Sequence, residues 1–119
     1  MKTFRMTTFA VVVAVLSACK PSVSESDAIF YGYCTGIYPH AEVAIQRGYL
    51  RYPRGTFQRV ADQAARAIPA PVTWDQENLN IFQREIGRGQ NHGGAISRGD
   101  VQSSDITRLD ACIEWAAAL

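Results

Sequence analysis

The residues able to do chemistry in this chain are few and widely spaced. Its only histidines are His40 and His92, too few and too distant in sequence to imply a metal centre. No Gly-x-Ser-x-Gly or His-Glu-x-x-His signature occurs. Glu77 and Glu85 fall eight apart, so one helix would bring both to the same side. Sugar hydrolysis by such a pair needs an enclosing cleft that so small a chain scarcely builds, and exposed helix charges account for them more simply. The run Gly87-Arg88-Gly89-Gln90-Asn91-His92-Gly93-Gly94 has the glycine content of a phosphate-binding loop. A dinucleotide fingerprint, however, follows a strand and opens a helix, whereas this run follows a helical pattern. What remains open to it is a looser anion site made of Arg88, Arg98 and loop amides. No catalytic residue, metal ligand or cofactor is expected, and the chain is not expected to be an enzyme.

The N-terminus is more informative. Lys2 and Arg5 precede an apolar run of eight residues, Phe9 to Leu16, which Ser17, Ala18 and Cys19 follow. Crossing about 30 Å of hydrocarbon takes ~20 residues, so the run reads as a signal segment and not as a membrane span. Leu16-Ser17-Ala18-Cys19 resembles the lipobox of bacterial lipoproteins. The resemblance implies removal of residues 1–18, acylation of the Cys19 thiol and of the new amine, and anchoring in a lipid bilayer. Two or more acyl chains hold a protein there firmly. Lys20 is not the aspartate of an inner-membrane retention signal, so the expected location is the periplasmic face of the outer membrane. Without residues 1–18 the chain carries 10 basic and 11 acidic side chains, which steers it towards neither nucleic acid nor anionic lipid.

Acylation of Cys19 would leave Cys34 and Cys112 as the only sulfur pair, in a compartment where disulfides persist. Neither has the Cys-x-x-Cys neighbour of a redox site, so a structural bridge is expected. Closing so long a loop contributes roughly 4–5 kcal/mol in the chain-entropy view.

All five tyrosines lie between Tyr31 and Tyr52. Tyr31 and Tyr38, seven apart, share a helix face distinct from that of Phe30, Cys34 and Ile37. Tyr49, Arg51, Tyr52 and Arg54 follow closely. Tyrosine and arginine supply large, stiff contact area with hydrogen bonds, as binding hot spots require. These six are the candidate partner-binding residues; otherwise the rings simply cover an edge of the domain.

The elements that position them read from periodicity. With 119 residues, 47% hydrophobic and 19% charged, the chain is a single domain. Residues 1–18 are the signal, 19–26 a polar tether, and 27–119 a helical domain. Ser24 or Ser26 caps a first helix, whose apolar stripe is Phe30, Tyr33, Cys34, Ile37, Ala41, Ala44 and Ile45. Pro39 is expected to break or kink it. Gly32 and Gly36 lie on one edge and permit close approach of another backbone, within the domain or from a partner helix. Arg51 to Gly55 form a turn. Phe57, Val60, Ala61, Ala64, Ala65 and Ile68 give a second stripe, ended by Pro69-Ala70-Pro71. Thr73 and Gln76 have capping-box spacing for a third helix with Leu79, Phe82 and Ile86 on its buried edge and Trp74 and Ile81 beside it. Gly87 to Gly99 are too glycine-rich for a helix and are expected to be a mobile loop. A last stripe, Ile106, Leu109, Cys112, Ile113, Ala116 and Ala117, is capped by Ser103 or Ser104.

The expected fold is an all-α bundle of four to five helices, with Cys34 on the first stapled to Cys112 on the last. Size, lipobox and helicity resemble the pilotins, small helical lipoproteins that carry secretin subunits to the outer membrane. That resemblance implies a non-enzymatic adaptor or chaperone for an envelope protein. Phe30-Tyr31-Gly32-Tyr33-Cys34-Thr35-Gly36-Ile37 and Pro53-Arg54-Gly55-Thr56-Phe57-Gln58 are similar to stretches of helical periplasmic immunity proteins. They imply the alternative of an immunity or exclusion lipoprotein that blocks an effector, phage or plasmid. A third alternative is a small-ligand or cell-wall binder working through the Gly87–Gly99 loop.

Overall fold

The computed structural model describes residues 23–119. The signal segment and the first half of the tether, Cys19 included, lie outside the described residues. Four helices follow: α1 (Glu25–Gln46), α2 (Thr56–Ala67), α3 (Gln76–Ser97) and α4 (Ser103–Ala117), with a 3-10 turn at Pro71–Thr73 between α2 and α3. Helix α1 begins at Glu25 and not at residue 27, because Ser24 Oγ accepts the Asp27 N–H at 3.0 Å. The Val23 carbonyl accepts from Asn78 Nδ2 at 3.1 Å, tying the start of the domain to the first turn of α3.

Pro39 neither breaks nor ends α1, which runs through it for 22 residues. The ring is exposed, so the ladder bond it removes is lost on the solvent side. Beyond the helix, Gly48 and Gly55 take φ of +80°, a left-handed turn that a side chain disfavours.

The larger correction concerns Gly87 to Gly99. This run is not a loop; all of it up to Ser97 belongs to α3, and Gly99 alone adopts a positive φ, where the chain turns towards α4. Each interior glycine costs roughly 1 kcal/mol against alanine in an isolated helix. The offset is tertiary. α1 and α3 run parallel, with Gly32 against Phe82 and Glu85, Gly36 against Ile86, Gly89 against Tyr33 and Ile37, and Gly93 against His40. A methyl group at Gly32 would sit 2.5 Å from the Phe82 carbonyl oxygen, and one at Gly93 would sit 2.7 Å from the His40 side chain. Glycines spaced four apart on both helices thus let backbone touch backbone, the geometry that small residues permit wherever helices cross closely. Gly32 and Gly36 serve internal packing.

The caps also differ from expectation. Asp75, not Thr73, caps α3 by accepting the Asn78 N–H at 3.4 Å, while the Thr73 hydroxyl donates to the Ala70 carbonyl at 2.7 Å. Gln102 precedes α4 and its N–H donates to Asp105 Oδ2 at 2.9 Å, so neither Ser103 nor Ser104 is the cap. Helix α2 is capped from outside its own segment: Glu42 of α1 accepts the Gly55 N–H at 2.6 Å and the Phe57 N–H at 3.1 Å. One carboxylate satisfies two of the amides a helix start leaves unpaired and complements its dipole.

The parallel α1 and α3 need a return crossing, which α2 and the 3-10 turn provide. Helix α4 then runs antiparallel to α1, with Cys112 bonded to Cys34 at a Cα separation of 5.8 Å and Trp115 Nε1 donating to Asp27 Oδ1 at 3.0 Å. The core gathers Ile37, Ala41 and Ala44 of α1, Phe57 and Val60 of α2, Ile96 of α3, and Leu109 and Ala116 of α4 around that disulfide. The fold is therefore all-α, with four helices and one bridge between the first and the last.

Candidate functional site

The six tyrosines and arginines do not form one surface. Tyr31 lies in an aromatic cluster at the end where the domain begins, its ring centroid 5.3 Å from Phe82, 6.0 Å from Trp74 and 6.3 Å from Trp115. Burial raises its phenol above the usual range. Tyr38 is half-buried against the core. From Tyr31 to the end of α1 at Gln46 the helix rises roughly 22 Å, so Tyr31 is remote from the other four.

Three of those four do come together. Tyr49, Arg51 and Tyr52, with Leu50 and Ile106 of α4, line a shallow basin of about 420 Å³ at the corner between α1 and α2. Tyr49 is 46% exposed, the largest exposed aromatic surface among the described residues, whereas the intervening Leu50 is buried. Arg47, Arg51 and Arg54 are exposed on this stretch of chain; Arg47 Nη1 donates to the Ser97 carbonyl at 2.7 Å, and none of the three takes part in an ion pair among the described residues. The corner is held rigidly. Tyr52 donates to Asp110 Oδ1 at 2.6 Å and its ring meets Phe57 edge-on, while Glu42 pins the chain at Gly55. Burial, then the bond to Asp110, push the Tyr52 phenol well above its ordinary range, so it stays a donor.

Arg88 and Arg98 do not share an anion site. They stand ten residues apart, Arg88 in the middle of α3 and Arg98 at its C-cap, and the glycine amides that were to join them lie inside the helix. The small-ligand reading loses its loop.

Arg88 belongs instead to a cleft that the sequence reading missed. Ile29, Phe30 and Tyr33 of α1 form its floor, Glu85 and Arg88 of α3 one wall, and Thr107, Arg108 and Ala111 of α4 the other, around about 240 Å³. Arg88 Nη1 donates to both Glu85 oxygens, at 3.2 and 3.0 Å, and its guanidinium lies 5.7 Å from the Tyr33 ring centroid. Arg108 Nη1 lies 3.4 Å from Asp105 Oδ1. Both carboxylates are buried, Glu85 at 4% and Asp105 at 7% exposure, while both guanidiniums reach solvent. Beside the cleft, the Tyr33 hydroxyl and His92 Nδ1 are 2.8 Å apart. Burial pushes the Tyr33 phenol up to about 12, more than Arg108 and Arg88 pull it down. Burial first, then Arg108 and Arg88, lower the His92 imidazole below its usual value. Both groups are therefore neutral near pH 7 and share one hydrogen bond, whose direction follows the imidazole tautomer. The sequence held a signal for this arrangement: Glu85-Ile86-Gly87-Arg88 and Asp105-Ile106-Thr107-Arg108 repeat the pattern acid-Ile-x-Arg, with one helical turn between the charges.

Among the described residues no cluster of His, Cys, Asp and Glu is arranged to hold a metal ion. No helix among them is long and apolar enough to cross a membrane. No family model matches the chain, nor does any curated protein or solved structure.

Proposed function

We propose that this protein is a non-enzymatic, lipid-anchored binding module of the periplasm, an adaptor in the manner of the pilotins, which grips an acidic envelope protein at the Tyr49–Arg54 corner. The observation that carries the reading is the basin itself: an exposed tyrosine, a half-buried and bonded tyrosine and Arg51, with Arg47 and Arg54 exposed on the adjoining chain without a carboxylate partner among the described residues, on a turn stiffened from two sides. Stiff aromatic and guanidinium groups bind with little ordering cost, and their uncompensated charge selects an acidic partner.

Chain length supports the orientation. Acylation of Cys19 would leave four Cα steps to Val23, a reach of at most about 14 Å. The start of α1 then lies close to the bilayer, and α1 carries the corner ~33 Å along its axis to the opposite end. An immunity or exclusion lipoprotein would use the same surface to block instead of to carry. The stretches that are similar to immunity proteins hold Gly32, Gly36, Cys34, Gly55 and Phe57, whose work here is packing, bridging and turning. They speak for scaffold more than for target.

The test is the double substitution Tyr49→Ala with Arg51→Glu in the full chain. Crosslinked capture of the partner in cells is expected to fall by about tenfold or more, with the far-UV spectrum unchanged. Undiminished capture rules the corner out. A deletion that mislocalises an envelope complex in unstressed cells identifies an adaptor; one harmless until an effector or phage is supplied identifies a blocker.

A further inference from the structure

We infer that the cleft between α3 and α4 captures the C-terminal carboxylate of a polypeptide that ends in an apolar residue. Charge and size together select such a ligand. A guanidinium carries five N–H donors in a planar fork, and both arginines commit Nη1 to their own carboxylates. Both arginines line the same opening, and their other N–H groups have no protein acceptor among the described residues. Asp105 is buried outside the lining and Glu85 is a buried part of the wall, and each fixes its guanidinium in place. This is how a pre-aligned carboxylate clamp is built. Glu85 is the one carboxylate in the lining and its charge is offset by Arg88 and Arg84; of the other polar groups there, Tyr33 is neutral and bonded to His92, and the Thr107 hydroxyl donates to the Ser103 carbonyl at 3.3 Å.

Ile29, Phe30 and Ala111 make the rest of the surface apolar. At about 240 Å³ the cleft is smaller than the ~300–1,000 Å³ of a typical small-molecule pocket and has room for a single residue. Only a chain end offers a carboxylate and an apolar side chain on one residue; an internal aspartate or glutamate would bring flanking chain on both sides. The cleft lies on a different face of α4 from Ile106 and Asp110, which serve the tyrosine–arginine corner, so it does not depend on the function proposed there.

Calorimetric titration of the full-length chain in mild detergent tests this, with acetyl-alanyl-leucine as free acid and as amide. The acid is expected to bind and the amide to bind at least about tenfold more weakly, since the amide lacks the charge-assisted pair. Arg108→Gln should weaken the acid about tenfold, and so should the paired change Glu85→Gln with Arg88→Gln, which strands no buried charge. Arg66→Gln, exposed on α2 and bonded only to Gln63, should leave binding unchanged, as should the Tyr49→Ala, Arg51→Glu corner variant. Equal binding of acid and amide, or of neither, overturns the proposal. So does inorganic phosphate binding as tightly as the peptide acid, which would make the cleft a site for anions in general.

Discussion

Glycine does opposite work at neighbouring positions of α3. Gly89 faces Tyr33 and Ile37, with no room for another atom, while Gly87 has nothing within 4 Å of where a methyl would stand. Gly89→Ala or Gly36→Ala must therefore push two backbones apart, and urea denaturation should report a loss of at least ~2 kcal/mol. Gly87→Ala should stabilise by up to about 1 kcal/mol, the helix propensity gained without a clash. Equal effects at the two positions would mean that the helices do not meet there. His92 gives a pH dependence of fixed sign. Its native pKa lies below the 6.5 of the free imidazole, so between the two values unfolding takes up a proton. Its contribution is complete above about pH 6.5 and is lost as pH falls through the lower native value. His92→Gln keeps a hydrogen-bonding group at that place but cannot titrate. The drop in urea midpoint from pH 7.5 to 5 should be smaller in this variant than in the parent; an identical drop would place the titration elsewhere.

At the level of elements, the decisive bonds are those made between helices. Glu42→Gln weakens the charged cap that α1 lends to α2, and thermal unfolding should show a loss of about 1–2 kcal/mol. No change would mean that solvent caps α2 equally well. The same contrast between local and tertiary causes separates what was legible in sequence from what was not. The α2 stripe of Phe57, Val60 and Ala64 was readable because burial on one face of a short helix leaves a 3.6-residue period. The Cys34–Cys112 bridge was readable because the chain offered one other cysteine, with its own assignment. The α3 glycines were misread because helix propensity is a local quantity, and their compensation lies in α1, over fifty residues away. Gly32 with Gly36 and Gly89 with Gly93 repeat one spacing, which is the trace such packing leaves. The Tyr31–Arg54 grouping failed for a different reason: proximity in sequence along a helix of 22 residues is not proximity in space. The cleft went unseen because each acid-Ile-x-Arg turn is an ordinary ion pair alone and becomes a site only where α3 and α4 face each other across α1.

The whole molecule joins its first and last helices twice, by the Cys34–Cys112 bond and by Trp115 to Asp27. Reduction of that bond should lower stability by roughly 4–5 kcal/mol, most of what a domain of this size possesses, and a melt with and without reductant reads it directly. A melt indifferent to reductant would show that the bridge carries no stability. The same architecture sets direction. With the chain entering beside the aromatic cluster and the tyrosine–arginine corner at the far end, an anchor at Cys19 points the corner away from the bilayer. The function proposed here therefore stands on that anchor. The intact mass of the protein purified from its host membranes tests it most directly. A chain beginning at Cys19, carrying a diacylglycerol and an amide-linked acyl group and lacking two hydrogens for the bridge, is the expected result. An unacylated chain, or one whose N-terminus lies at any other residue, would contradict it.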